Sequence, residues 1–548
     1  MNLLLDRKYL LFLLLGIIFL LNVIGLYHKG LTYDEGRHYE YGTNILSLNS
    51  DRFDDSKMPF SALNAVPRKL WTFVEHLPFS RVFRTLEKMR TGRYITIFFS
   101  ILIGYFVYRW ARELYGNHAA FFALLFYAFC PNMLAHSRLI TTDIYATGMI
   151  LFSLYFYWRF LNEGGWRNGL LSATMLGLSQ LAKYTCVFLY PMFILILILN
   201  KLPLMIETIR SKDWGLAFRQ IGTFFKFTLL FIVVSLFLIN LGFLFNKSFT
   251  RFGDYEFKST FLKNLQSNHQ VLKQLPVPVP YPYLEGLDWV KYNEETGSGY
   301  GLVYLLGETK RGEGFTGYYF YAFLYKVPLA VQILFLIALV RYFWKWNTLN
   351  FLRNEIFLLI PITFFAIYFN YFYKADIGMR FFIVILPLLY IFTGNLFQSW
   401  QSLAAKIKFC YGLLAVYYVG SVLSYTPHYL SYFNELVWDR KQAYKVLADS
   451  NIDWGENNWY LEKYKKKHPE AIVSPEAPVP GRIVVTVNEL TGVTADPKKF
   501  EWLRKGFQPV NHIAYSYLVY DIKSVPPLSP PRRRGANLTE NGFPLTRE

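Results

Sequence analysis

Apolar residues fall along this chain in long blocks, without the two-residue alternation of strands or the narrow stripe of surface helices. A window of about 20 residues, the length of helix that crosses a bilayer core, picks out about eleven blocks: 9–26, 94–109, 118–135, 141–161, 168–182, 184–200, 222–245, 318–341, 353–373, 380–396 and 404–424. The stretch 168–200 also reads as one long span. The pattern predicts an α-helical polytopic membrane protein of about eleven transmembrane helices over residues 1–424. The first block follows Arg7 and Lys8, and no small-x-small cleavage site comes after it, so a permanent helix is expected.

Two long loops, 27–93 and 246–317, and a region from about 425 separate or follow the blocks. Residues 53–93 mix aromatic, basic and apolar residues as interfacial helices do. The run PVPVPYPY (276–283) predicts an extended, non-helical strap. RIVVTVN (482–488) and AYSYLVY (514–520) predict strands and 456–467 a helix, together a small α/β extramembrane domain over 425–525. Residues 526–548, which include PPLSPPRRRG, read as a disordered basic tail.

Composition narrows the class. Of 548 residues 53% are hydrophobic and 17% charged, which excludes an ordinary soluble enzyme, and three cysteines exclude a disulfide scaffold. Cys130, Cys186 and Cys410 all lie in apolar runs and read as small buried hydrophobes. The 57 Lys and Arg against 38 Asp and Glu give a net charge of +19, yet no nucleic-acid-binding motif accompanies it. Membrane lipids are the partner that fits. With the N-terminus inside, every inner loop is cationic: Arg109 and Arg112, Arg159 and Arg167, Lys201 to Arg219, Arg341 to Arg353, Lys406 and Lys408. The long loops and the C-terminal region then lie outside.

Acids sit at the outer ends of spans: Asp34 and Glu35 in TYDE, and Asp143 in HSRLITTD. Asp34 and Asp143 also fit helix-start patterns. Cations accompany them at Arg138, Lys183, Lys374 and Arg380. Lys183 interrupts the apolar run LGLSQLAKYTCVFLYP, where a cation is costly unless paired or wetted. Carboxylates and cations around one outward cavity suit a nucleophilic hydroxyl and an anionic leaving group. A glycosidase needs two carboxylates because its leaving alkoxide must be protonated. A sugar phosphate departs as a stable anion, so it needs cations and a single carboxylate base. One displacement inverts the anomeric centre, and a lipid-phosphate-linked sugar is the natural donor at an outer membrane face.

The segments TYDEGRHYEYG (32–42), KMPFSALNAVP (57–67), PNMLAHSRLITTD (131–143), GLSQLAKYTCVFLYP (177–191), YLLGETKRGEGFTGYYFYAFLYKVPLA (304–330), DIGMRFFIVILPLLY (376–390), PHYLSYFNEL (427–436) and DSNIDWGEN (449–457) occur in an order that resembles glycosyltransferase family 39. These are the phospholipid-carrier-dependent glycosyltransferases of the type C fold, which include protein O-mannosyltransferases and lipid A aminoarabinose transferases. The resemblance implies inverting, hexosyl- or mannosyl-type transfer from a polyprenyl-phosphate donor to a hydroxyl acceptor on protein or glycolipid. It implies that Asp34 is the catalytic base or orients the acceptor, with Glu35 beside it, and that Asp143 is the second-loop acid. It places Lys183 and Arg380 at the donor phosphate, with Arg138 a weaker candidate. A bacterial inner membrane location is implied, with the N-terminus cytoplasmic and the C-terminal domain extracytoplasmic.

Members of the fold differ on a divalent cation, so the cofactor stays open. Asp449, Asn451 and Asp453 are spaced like calcium ligands, but Trp454 and Tyr460 stand where glycine and a bidentate glutamate belong. The segment is expected instead to fold the C-terminal domain over the cavity mouth. Tyr318, Tyr319 and Tyr321 are expected in an interfacial aromatic belt, and His136 as a polar loop residue. The rival class is a transporter or lipid flippase, which concentrates polar groups near the bilayer midplane in two related halves. Here the halves are unlike and the charges crowd the span ends.

Overall fold

The computed structural model describes residues 7–52 and 55–524, so the predicted tail at 526–548 lies outside the described residues. Among them, seven helical segments are long and apolar enough to cross a membrane: Tyr9–His28, Met89–Tyr115, Tyr184–Ser211, Phe218–Gly242, Thr348–Tyr371, Met379–Phe397 and Ala405–Leu423. Tyr318–Lys326 and Leu329–Trp344 make an eighth if the bent pair is one span. The chain is an integral membrane protein, mostly helical.

Three of the expected spans differ. Block 118–135 splits into Asn117–Ala128 and the short helix Pro131–His136, because Pro131 cannot continue the first helix and starts the second. Block 168–182 is the helix Trp166–Ser179, only 14 residues long. Block 141–161 is the helix Asp143–Glu163, whose 21 residues include Asp143, Arg159 and Glu163 and are mostly buried. Gly148 lets it close on the helix Gly92–Tyr115: a Cβ there would lie 2.5 Å from the Phe99 ring. These segments are apolar largely because they pack against protein, a pattern that composition alone does not separate from a lipid-facing one.

Pro328 causes the bend of 112° in 318–344, since it lacks an N–H and forces Val327 extended. The freed carbonyls find other donors. Asn434 Nδ2 donates to Leu324 and Val327, Gln332 Nε2 to Val327, and Asn132 Nδ2 to Lys326. At the opposite end of the bundle, the cationic loops tie together through Asn162 Nδ2 donating to the Arg353 carbonyl and Lys201 Nζ to the Leu161 carbonyl, both at 2.9 Å.

Two sheets lie outside the helices. Strands β1 (Leu302–Leu305) and β2 (Glu308–Arg311) form a hairpin, and a bridge joins Leu305 to Leu447. Strands β3 (Ile472–Val473), β4 (Gly481–Thr486), β5 (Asn511–Ile513) and β6 (Tyr517–Ile522) form a sheet in the order β3-β4-β6-β5, antiparallel except for β3 against β4. The predicted run 482–488 ends early because Thr486 caps a helix, its hydroxyl accepting from Glu489 N–H at 3.0 Å. The helix expected at 456–467 spans Asn458–Lys467. The proline strap is extended only through Pro280; helix Tyr281–Thr296 then begins with Pro282 in its first turn, where no N–H is needed.

Candidate active site

Four chain segments bring charge to one cavity of about 1050 Å³. Asp34 occupies the N-cap position of the helix Glu35–Leu46, but its side chain makes no capping bond. It reaches Arg380 instead, Oδ2 to Nη1 at 2.9 Å. Arg380 stands in the first turn of a 3-10 segment, Met379–Ile385, with its guanidinium 4.2 Å from the Trp454 ring centre. Asp143 starts the helix Asp143–Glu163, where the positive end of the helix dipole favours an anion. Its Oδ1 accepts from Lys183 Nζ at 2.6 Å, and Lys183 lies in the turn after Trp166–Ser179, its ammonium 4.1 Å from the Phe381 ring centre. Asp34, Asp143, Lys183 and Arg380 all line the cavity.

The acids differ in access. The Asp34 side chain is 26% exposed and that of Asp143 4%, so Asp34 is the more open of the two to the cavity. Burial pushes the Asp34 carboxyl up, but the Arg380 guanidinium, joined by His38 and Lys57, holds the group below the usual carboxylate value. Across the cavity, Asp449 and Asp453 are pushed up to about 6 and about 7 by burial.

Glu35, expected beside Asp34, points away from the cavity and is fully buried. It takes a two-pronged ion pair from Arg93, 2.7 Å to Nε and 2.5 Å to Nη2, and accepts the N–H groups of Thr32 and Ile140 at 2.7 and 3.0 Å. Its carboxylate is occupied in holding the Asp34 loop to the segment that leads to Asp143. Arg138 is likewise sealed from the cavity: it is 1% exposed, packs 5.8 Å over the Tyr429 ring and donates to the Pro427 carbonyl. His136 is buried with its ring edge toward Trp454. Tyr318 and Tyr319 are buried too and do not belong to a belt; their hydroxyls meet Asn451 and the Ala375 carbonyl at 2.7 and 2.6 Å. Tyr321 is 40% exposed.

Sequence reasoning did not single out the aromatic wall of Tyr184, Phe188, Trp289, Tyr300, Tyr368 and Tyr373, nor Lys57 and Lys291, which also line the cavity. Among the described residues no three His, Cys, Asp or Glu side chains converge as a metal-ion site.

Comparison with known proteins finds a family match over part of the chain. Residues 79–239 match the family model described as dolichyl-phosphate-mannose-protein mannosyltransferase. The matched stretch contains Arg138, Asp143 and Lys183 and leaves out Asp34 and Arg380. No curated protein matches the chain in sequence. Among solved structures, ArnT from Cupriavidus metallidurans bound to undecaprenyl phosphate is 13% identical with a TM-score of 0.41, covering 93% of this chain and 97% of that one. The Archaeoglobus fulgidus oligosaccharyltransferase in the apo form is 12% identical with a TM-score of 0.47, covering 84% of this chain and 58% of that one. AglB from the same organism, in complex with an inhibitory peptide and a dolichol-phosphate, is 12% identical with a TM-score of 0.43, covering 75% and 55%. The chain thus spans little more than half the length of these two oligosaccharyltransferases.

Proposed function

We propose that this protein is an inverting glycosyltransferase that moves a sugar from a polyprenyl phosphate to a hydroxyl acceptor on the outer side of the membrane. The observation that carries the reading is the convergence, in one cavity, of Asp34 on Arg380 and Asp143 on Lys183 beside an aromatic wall. The family match supports glycosyl transfer.

Each cation keeps capacity for a phosphate. A guanidinium has five N–H donors and an ammonium three, and the carboxylates here take one from each. The donor phosphate lies between Lys183 and Arg380, which stabilise the charge that grows as the glycosidic C–O bond breaks. As the phosphate shares Arg380, less of its charge falls on Asp34, and Asp34 becomes a stronger base. Asp34 takes the acceptor's proton while the acceptor oxygen attacks the anomeric carbon from the face opposite the phosphate. Asp143 holds Lys183 in place. The cationic loops at the far end of the bundle support an orientation with that end cytoplasmic and with residues 425–525 as an extracytoplasmic domain; the bacterial inner membrane is the location that the family resemblance implies.

A broken helix is also a transporter feature. Here the carbonyls freed at Pro328 bond to protein side chains and lie outside the cavity lining, which favours the transferase reading. Mass spectrometry of glycolipids and glycoproteins from cells with and without the gene tests it. A missing sugar on one acceptor class is expected, and unchanged profiles contradict the reading.

A further inference from the structure

The segment Ser450–Glu456 touches both loops that carry the central ion pair. Toward Asp34, the Gly30 N–H donates to the Glu456 carbonyl at 2.8 Å and the Tyr33 N–H to the Trp454 carbonyl at 3.1 Å. Toward Arg380, the Met379 N–H donates to Asn451 Oδ1 at 3.0 Å, and the Ser450 hydroxyl donates to the Ile377 carbonyl. Between them Gly378 has φ 150, a conformation open to glycine, and a Cβ there would overlap the Ser450 hydroxyl. The Trp454 ring then forms a floor under the guanidinium.

The segment is itself anchored. Lys326 Nζ donates to the Asn451 carbonyl at 2.5 Å, Asn451 Nδ2 donates to the Tyr318 hydroxyl at 2.7 Å, and the Ser431 hydroxyl donates to the Ile452 carbonyl at 2.6 Å. Asn488 Nδ2 adds a bond to the Asp453 carbonyl at 3.1 Å. Asn451 is thus the node: its side chain fixes the residue next to Arg380, and its carbonyl is held by the lysine at the Pro328 bend. Its side-chain bonds are buried and satisfied, so removing them leaves buried donors unpaired and the Arg380 loop free to shift. A shift of about 1 Å in a positioned group costs catalysis heavily.

We propose that Ser450–Glu456 is a clip that sets the Asp34–Arg380 geometry, with Asn451 as a positioning residue for the phosphate-binding arginine. The proposal rests on the transferase reading and adds a role for this segment beyond covering the cavity.

The test uses the full-length protein in detergent and two probes, farnesyl phosphate and farnesol, with affinities measured by calorimetry and melting temperatures in parallel. Wild type is expected to prefer the phosphate, and Arg380→Ala to lose that preference. Asn451→Leu is expected to reduce the preference about tenfold with farnesol affinity unchanged. Asn451→Asp keeps an acceptor for the Met379 N–H and is expected to restore most of it. Ser450→Ala, the milder change if Asn451→Leu folds poorly, is expected to show a smaller loss in the same direction. Wild-type preference in both Asn451→Leu and Ser450→Ala, with Arg380→Ala impaired, overturns the clip alone. A wild-type protein with no preference for the phosphate overturns the reading of the site, and the clip with it.

Discussion

Asp34 and Arg380, separated by 346 positions, meet at 2.9 Å across the cavity. Asp143 and Lys183 form a second such pair at 2.6 Å. Each expected phosphate cation therefore rests on an expected acid, an arrangement that balances charge in a partly buried site.

The first pair makes the acid side of the pH profile diagnostic. Burial raises the Asp34 carboxyl and Arg380 lowers it further, so the group ends below its ordinary value. The stability contributed by the pair is present above the ordinary carboxylate range and is lost as pH falls through the lowered value. Arg380→Gln keeps the burial and removes the pull. The residual transfer rate of that variant is expected to fall off at a higher pH than in wild type. Coincident acid limbs would contradict the pairing.

The second pair is more buried, and breaking it leaves a charge unpaired. Lys183→Met alone strands Asp143, whose side chain is 4% exposed, and is expected to cost about 3–5 kcal/mol of stability. The double variant Lys183→Met with Asp143→Asn removes both charges and is expected to melt above the Lys183→Met single. Additive losses in a double-mutant cycle would contradict a direct pair.

Much of the helical plan was legible because a long apolar block has few alternatives. The errors have physical causes: 118–135 and 168–182 are apolar against protein, and Pro131 and Pro328 break what composition joins. Pro282 belongs to a run that reads as extended, yet it stands in a helix's first turn, the one helical place where proline's missing N–H costs nothing. In the site, Asp34, Asp143, Lys183 and Arg380 were legible as isolated charges at span ends. Their pairing was not, because nothing local in TYDE or DIGMR says which meets which. Glu35 and Arg138 look like site residues by proximity in sequence, and only the fold shows Arg93 and Tyr429 claiming them.

Glu35 is expected to act on folding more than on chemistry. Glu35→Gln leaves the Arg93 guanidinium without its carboxylate in a site where both side chains are fully buried, at a cost of about 3–5 kcal/mol. Yield and melting temperature should drop, while the rate per folded molecule stays within about tenfold of wild type. A normally folded Glu35→Gln protein with abolished transfer would instead give Glu35 a direct catalytic role.

The most direct measurement is sugar transfer from a defined polyprenyl-phosphate donor by reconstituted wild type, Asp34→Asn and Arg380→Ala. Each variant strands its partner's charge, so both are expected to melt below wild type yet still fold, and to transfer at least about a hundredfold more slowly, the scale of losing a general base or a charge-stabilising donor. Folded Asp34→Asn and Arg380→Ala proteins that transfer at the wild-type rate would contradict the assignment of base and phosphate cation.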